Sequence, residues 1–178
     1  MSATPGIAGR DEYRAMYMVD EIEMKAPLEL CFRAGADVER WPEILPHYRW
    51  VRFHRKNDFG EGRVEMAARR NFGPLAYPVW WVSEMETDEE RPAVLYRHVA
   101  GVTTEMDVEW SFEELGSGST GVRIIHAWRD GPGWPLPRQL TRAISSAVIG
   151  PVFIHHVAGR TLRGIRDHVE NPSTVNKR

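Results

Sequence analysis

The chain has 178 residues, with 23 Lys and Arg against 25 Asp and Glu, for a formal net charge of −2. That length fits one domain with short appendages, and folding it buries roughly 70% of the extended surface, enough for a core that needs no staples. The near-balanced charge argues against nucleic acid as a partner. The longest apolar stretch, Ala147 to Ile154, falls far short of the ~20 residues of a membrane span.

The single cysteine, Cys31, cannot close an internal disulfide. The opening Met1-Ser-Ala-Thr-Pro5 has neither the basic start nor the apolar run of an export signal, so the expected location is the cytoplasm. Residues 1–12 read as an N-terminal extension, 13–170 as one domain and 171–178 as a tail.

In chain order, Tyr13 to Met24 alternates apolar residues with acids and reads as a first strand with Met18, Ile22 and Met24 inward. Ala26-Pro27 stops it, and Pro27 suits the start of a short helix over Leu28 to Phe32. A second short helix is expected from Asp37 to Ile44. From there the period is two, with strands near Tyr48–Arg55, Gly62–Arg70, Tyr77–Glu86, Ala93–Val99, Thr104–Glu113 and Gly121–Trp128, separated by turn residues.

The period then changes to 3.6. A helical piece from Pro137 to Ile149 precedes a long amphipathic helix begun by Pro151, whose stripe is Ile154, Val157, Ala158, Thr161, Leu162, Ile165 and Val169. The expected class is α+β, an antiparallel sheet whose apolar face only the last helix is long enough to cover.

Gly116-Ser-Gly-Ser-Thr-Gly121 spells a dinucleotide motif, but it joins two strands where that motif must join a strand to a helix, so it reads as a hairpin turn. His155-His156 point to different sides of a helix and no spaced Cys/His set exists, so no metal site is expected. Cys31 sits among apolar helix residues and reads as a small buried hydrophobe.

More informative are polar residues at inward positions of aromatic strands. These are Ser83 and Met85 beside Trp81, Arg97 beside Leu95 and Val99, and His126 beside Ile124 and Trp128. A buried Arg cannot shed its proton and needs an acid, water or a polar ligand. The same strand read one residue out of step turns Arg97 outward and His98 inward. Trp41, Trp81 and Trp110, with Met106 on the same face as Trp110, would line a pocket.

The run Trp41-Pro-Glu-Ile-Leu-Pro-His-Tyr48, the meander with Trp81-Val-Ser83, and the long terminal helix resemble the polyketide cyclase/aromatase branch of the START-like (SRPBCC, Bet v 1-like) superfamily, over roughly Met18 to Glu170. Trp41, Tyr48, Trp81, Ser83, Arg97 and Trp110 match that branch's pattern, while Met85 stands where its aromatases carry an arginine. The resemblance implies a helix-grip fold, a curved seven-stranded antiparallel sheet around the C-terminal helix with two short helices after the first strand.

It also implies an internal cavity for a hydrophobic, polycyclic or polyketide-like molecule, and cofactor-free cyclisation or dehydration. In that scheme Arg97 stabilises developing negative charge, Tyr48 and Ser83 relay hydrogen bonds and His126 carries protons. Trp41, Trp81, Met85, Met106, Trp110 and Trp128 shape the ligand, and an acyl carrier protein delivers it. The alternative, favoured by Met85, is a non-catalytic carrier or chaperone of a lipid or quinone. The Gly131–Pro137 segment, rich in proline around Trp134, reads as a lid or a partner surface.

Overall fold

The computed structural model describes residues 15–72, 75–131 and 154–171, together with positions 7, 137, 139, 140 and 143. The alternating segments form β1 (Met16–Met24), β2 (Tyr48–Lys56), β3 (Gly62–Phe72), β4 (Leu75–Asp88), β5 (Ala93–Gly101), β6 (Asp107–Gly116) and β7 (Ser119–Trp128). They make one antiparallel sheet in the order β1-β7-β6-β5-β4-β3-β2. Register shifts at Tyr48/Trp50, Phe53/Arg55, Val82/Ser83 and Glu114/Gly116 are the kind of irregularity that bends a sheet.

Between β1 and β2 lie α1 (Leu28–Ala36), a 3-10 turn (Val38–Arg40) and α2 (Trp41–Ile44). Pro27 takes the N-cap position of α1, and a proline stands in the first turn of α2. Helix α3 (His155–Glu170) buries Ala158, Thr161, Leu162, Ile165 and Val169 against the sheet. Each large aliphatic side chain removed from water in this way contributes about 1.5–3 kcal/mol. A seven-stranded antiparallel sheet around a C-terminal helix, with short helices after β1, is the helix-grip architecture that the resemblance implies.

Close approaches fix how the helices sit. The Gly35 position of α1 lies against the Phe112 ring of β6, where an added Cβ would stand 2.6 Å from Cζ. At Gly164 of α3, an added Cβ would collide with Leu45, which is fully buried just after α2.

Several expectations shift at the edges. Helix α1 runs on to Ala36, and the expected Asp37–Ile44 helix divides into the 3-10 turn and α2. The strand expected from Thr104 starts at Asp107. Residues 103–105 instead form the turn from β5, held by Thr104 N–H to the Gly101 carbonyl and Met106 N–H to the Thr103 carbonyl, with Glu105 at φ 67°. The Gly116–Gly121 run is a hairpin turn between β6 and β7, with Ser117 at φ 53° and Gly118 at φ 77°, the left-handed pair that two-residue hairpins favour. The helical piece expected at Pro137–Ile149, the first-turn position of Pro151 and the Gly131–Pro137 segment lie largely outside the described residues, as do most of residues 1–12 and 171–178. Within the expected N-terminal extension, Ile7 packs against Ile125 and Ala127 on the outer face of β7.

Candidate functional site

Between the concave face of the sheet and the first half of α3 lies a cavity of about 70 Å³. Helix α2 holds Trp41 over it, fixed by an indole N–H donated to the Ala34 carbonyl at 3.0 Å. Tyr48 opens β2 directly behind. From there the rings run in a continuous arc. Trp110 lies 5.6 Å from Trp41, Trp41 5.0 Å from Tyr48, Tyr48 6.2 Å from Trp81, and Trp81 stacks on His98 at 6.0 Å. Met66, Val108 and Ile124 of the sheet, Met106 just before β6, Ile154 at the N-cap of α3, and Val157, Ala158 and Thr161 within it complete the wall.

The polar groups at this wall are Tyr48, Tyr96, His98, Thr103, His126 and Thr161. Thr161 donates to the Val157 carbonyl at 2.9 Å and lies 2.9 Å from His47 Nε2. Its one proton is therefore spent, and its oxygen accepts from His47. Burial pushes the Tyr48 phenol well above its ordinary value, a hydrogen bond with Thr161 offsetting only part of this. Tyr48 is thus a hydrogen-bond donor at neutral pH and not a base. His47 is drawn down to about 4, first by burial and then by Arg160 and His156, which keeps it neutral.

His98 Nδ1 meets the Thr103 hydroxyl at 2.6 Å. Burial draws both His98 and His126 down to about 3, with His126 a further contributor at His98. Both rings are neutral at pH 7, so neither serves as an acid there, and as bases they are weak. Tyr96 is raised well above the ordinary phenol value by burial and by the neighbouring Tyr48. The Tyr96 hydroxyl, His126 Nδ1 and Ser83 Oγ are enclosed without a hydrogen-bond partner among the described residues.

Of the site residues expected from the sequence, Trp41, Tyr48, Trp81, Met106, Trp110 and His126 border the cavity. The inward placement of Arg97 is corrected. Its side chain is 63% exposed on the outer face and pairs with Asp107 at 3.0 Å. The strand runs one residue out of step with that reading, so Val94, Tyr96 and His98 face inward. The reason is cross-strand register. Arg97 stands directly opposite Asp107, and Tyr96 opposite Val108, so the acid and the cation share the wet face.

Ser83, Met85 and Trp128 are fully or almost fully buried but lie outside the cavity wall. Trp128 gives its N–H to the Thr104 carbonyl at 3.0 Å, and Met85 sits between Gly62 and Tyr96 in the sheet. Both fill core. Sequence reasoning missed Tyr96, Thr103 and Met66 as wall residues, and had His98 inward only in the alternative register and Thr161 only as part of the helix stripe. The outward Asp107 opposite Arg97 was the signal that could have chosen that register and with it found Tyr96.

Asp20 was missed as well. It is buried on β1 and pairs with His155 at the start of α3, and burial raises its pKa while His155 and Arg163 pull it down. Among the described residues no three His, Cys, Asp or Glu side chains converge as metal ligands, and no helix is long and apolar enough to cross a membrane.

Comparison with known proteins places this geometry. A Streptomyces cyaneus protein named "Putative polyketide cyclase" is 32% identical over 103 residues, which is 56% of this chain and 64% of that protein's own length. The Zhui aromatase/cyclase from a Streptomyces species superposes with a TM-score of 0.66 at 17% identity, over 88% of this chain and 94% of that one. A START superfamily protein from Mycobacterium smegmatis gives 0.67 at 12% identity, over 88% and 99%. At such identities the structural likeness concerns the fold. Residues 24–152 match the model of one family, and the chain belongs to it: polyketide cyclase/dehydrase and lipid transport proteins.

Proposed function

We propose that this chain binds an apolar, ring-bearing or polyketide-like small molecule in the cavity under α3 and promotes its cyclisation or dehydration there. The observation that carries this reading is the aromatic arc from Trp110 through Trp41, Tyr48 and Trp81 to His98, closed over by α3. Flat indole and phenol faces stack on flat ligands and give up little conformational freedom on binding. The space is about 70 Å³, below the ~300 Å³ at which small-molecule sites begin. Binding therefore parts the walls, and Met66 and Met106 are the adaptable side chains on that surface.

The chemistry open to these groups is narrow. Folding a flexible poly-ketone into one contact geometry is worth a large share of a cyclisation barrier. The Tyr48 and Tyr96 hydroxyls and the Thr103 hydroxyl would polarise a carbonyl. The roles first assigned to Arg97 and to His126 as a proton carrier do not suit an exposed cation and a ring drawn down to about 3. His126 is better placed as a neutral hydrogen-bonding partner.

One observation favours a second reading, a non-catalytic carrier of a lipid or quinone. Among the described residues no charged side chain borders the cavity, and Met85, at the aromatase arginine position, is core. Turnover separates the two. The full chain, incubated with an acyl-carrier-protein-bound poly-ketone, should raise the yield of cyclised product above the spontaneous background. The carrier reading predicts a ligand that co-purifies and is seen by native mass spectrometry, with no product formed. Absence of any bound or bindable apolar ligand would sink both.

A further inference from the structure

We propose that the cavity selects an uncharged ring compound bearing oxygen functions at its two ends, with Tyr96 and His126 as its hydrogen-bonding partners, and that it rejects carboxylates. This rests on the ligand-binding reading above and narrows it to a chemical class. The first support is the wall itself. Among the described residues it contains no Lys, Arg, Asp or Glu, and Arg97, the cation the sequence seemed to offer, lies on the opposite face of the sheet bound to Asp107. An anion entering such a space leaves water and meets no counter-charge, a loss that a neutral molecule of the same shape escapes.

The second support is the pair of unpartnered atoms. Enclosed polar atoms nearly always have a partner, and leaving one without is costly. Here the Tyr96 hydroxyl and His126 Nδ1 lack one among the described residues although both residues belong to the cavity wall. A ligand that parts the wall and offers oxygen atoms removes both deficits. The Tyr96 O–H needs an acceptor such as a ketone. His126 Nδ1 accepts from a ligand hydroxyl in one tautomer and donates to a carbonyl in the other.

The third support is their placement. Tyr96 pairs with Val108 and Val108 with His126, so the two sit in one row across β5, β6 and β7. Two strand spacings separate them, about 9.5 Å between backbones. That separation suits oxygens at opposite ends of a flat body and not a clustered polar headgroup. The aromatic arc supplies the stacking faces.

The test is a calorimetric titration of the full chain with three probes of one shape: a naphthyl methyl ketone hydroxylated at the far end, the hydroxynaphthoate with a carboxylate in place of the ketone, and the corresponding ethylnaphthalene. The ketone should bind at least tenfold more tightly than either of the others. Tyr96→Phe and His126→Phe should each cut ketone affinity fivefold or more while affinity for ethylnaphthalene changes less than twofold. If the hydroxynaphthoate binds as well as the ketone, or all three bind alike, the selectivity proposal falls while the ligand-binding reading stands. If none binds, both fall. Should a variant fail to fold, the ranking of the three probes on the unaltered chain decides alone.

Discussion

The two halves of helix α3 rest on different interiors. Under its second half, Leu162, Ile165 and Val169 are buried in the same apolar cluster as Met24, Cys31 and Phe112. The buried hydroxyl there, Thr120, donates to the Ala26 carbonyl at 2.8 Å, and Phe32 sets its edge against Phe112 at 5.6 Å. Under the first half, Val157, Ala158 and Thr161 face the cavity. Five enclosed polar atoms lack a partner among the described residues, and three of them, on Ser83, Tyr96 and His126, belong to strands that form the cavity end. The same strands and the same helix pass through both regions. The other two are on Asp20 of β1 and on His168 in the second half of α3, so the difference is one of degree: the cavity end carries the larger share of unmet hydrogen-bonding capacity, which a ligand can satisfy.

Acid should break this contrast most severely. His98, His126 and His47 have folded values near 3, 3 and 4, below the ordinary 6.5, so the unfolded chain binds more protons between those limits. Stability is then fully present above pH 6.5 and falls as pH drops through the window toward 3, by up to about 1.4 kcal/mol per imidazole per pH unit. Chemical denaturation at a series of pH values should show that slope, and His126→Phe should flatten it. A profile level from pH 7 to 4 would contradict neutral burial of these rings at the cavity end.

Next in size are two substitutions of opposite sign. Ile165→Ala, at a fully buried position in the second half of α3, should cost about 2–5 kcal/mol and lower the melting temperature accordingly. Tyr96→Phe removes an enclosed hydroxyl that has no partner among the described residues. It should leave the unliganded chain as stable or up to about 1 kcal/mol more stable. Loss of stability in Tyr96→Phe would mean that the hydroxyl is satisfied in the unliganded chain and that the two ends do not differ as described.

How far this contrast could be read beforehand depended on how many signals bore on each residue. Strand β6 was legible because Met106, Val108, Trp110 and Phe112 alternate with Asp107, Glu109, Ser111 and Glu113, leaving one dry phase. The stripe of α3 was legible for the same reason at the helical period. Trp41, Tyr48, Trp81 and Trp110 followed from motif and alternation together. Strand β5 is different, since Ala93-Val-Leu-Tyr-Arg-His-Val99 places apolar residues in both phases. Alternation alone cannot choose between them, and a one-residue slip exchanges the whole inward set. Only the tertiary pairing of Arg97 with Asp107 chose, and it moved the cation out and Tyr96 and His98 in. The enclosure of Ser83 and Trp128 away from the cavity was illegible for another reason. Inward on a strand does not distinguish a wall from a core when a helix covers only part of the sheet as a wall.

The smallest expected effect is also the sharpest check on that register. Arg97 is 63% exposed and Asp107 22% exposed, and their bond spans adjacent strands on the outer face. Pairs of this kind contribute about 0.2–1 kcal/mol. Arg97→Ala should sit near the top of that range, because burial already raises the Asp107 carboxyl and Arg97 is the main cation pulling it back, with Arg129 behind it. The variant should melt slightly earlier, and the shift should shrink in high salt as the pair is screened. Ligand affinity at the cavity should not move, since the guanidinium lies on the opposite face of the sheet. A strong loss of ligand binding with little change in stability would turn β5 around, put the guanidinium back in the cavity, and restore an anion-stabilising role that the present geometry denies it.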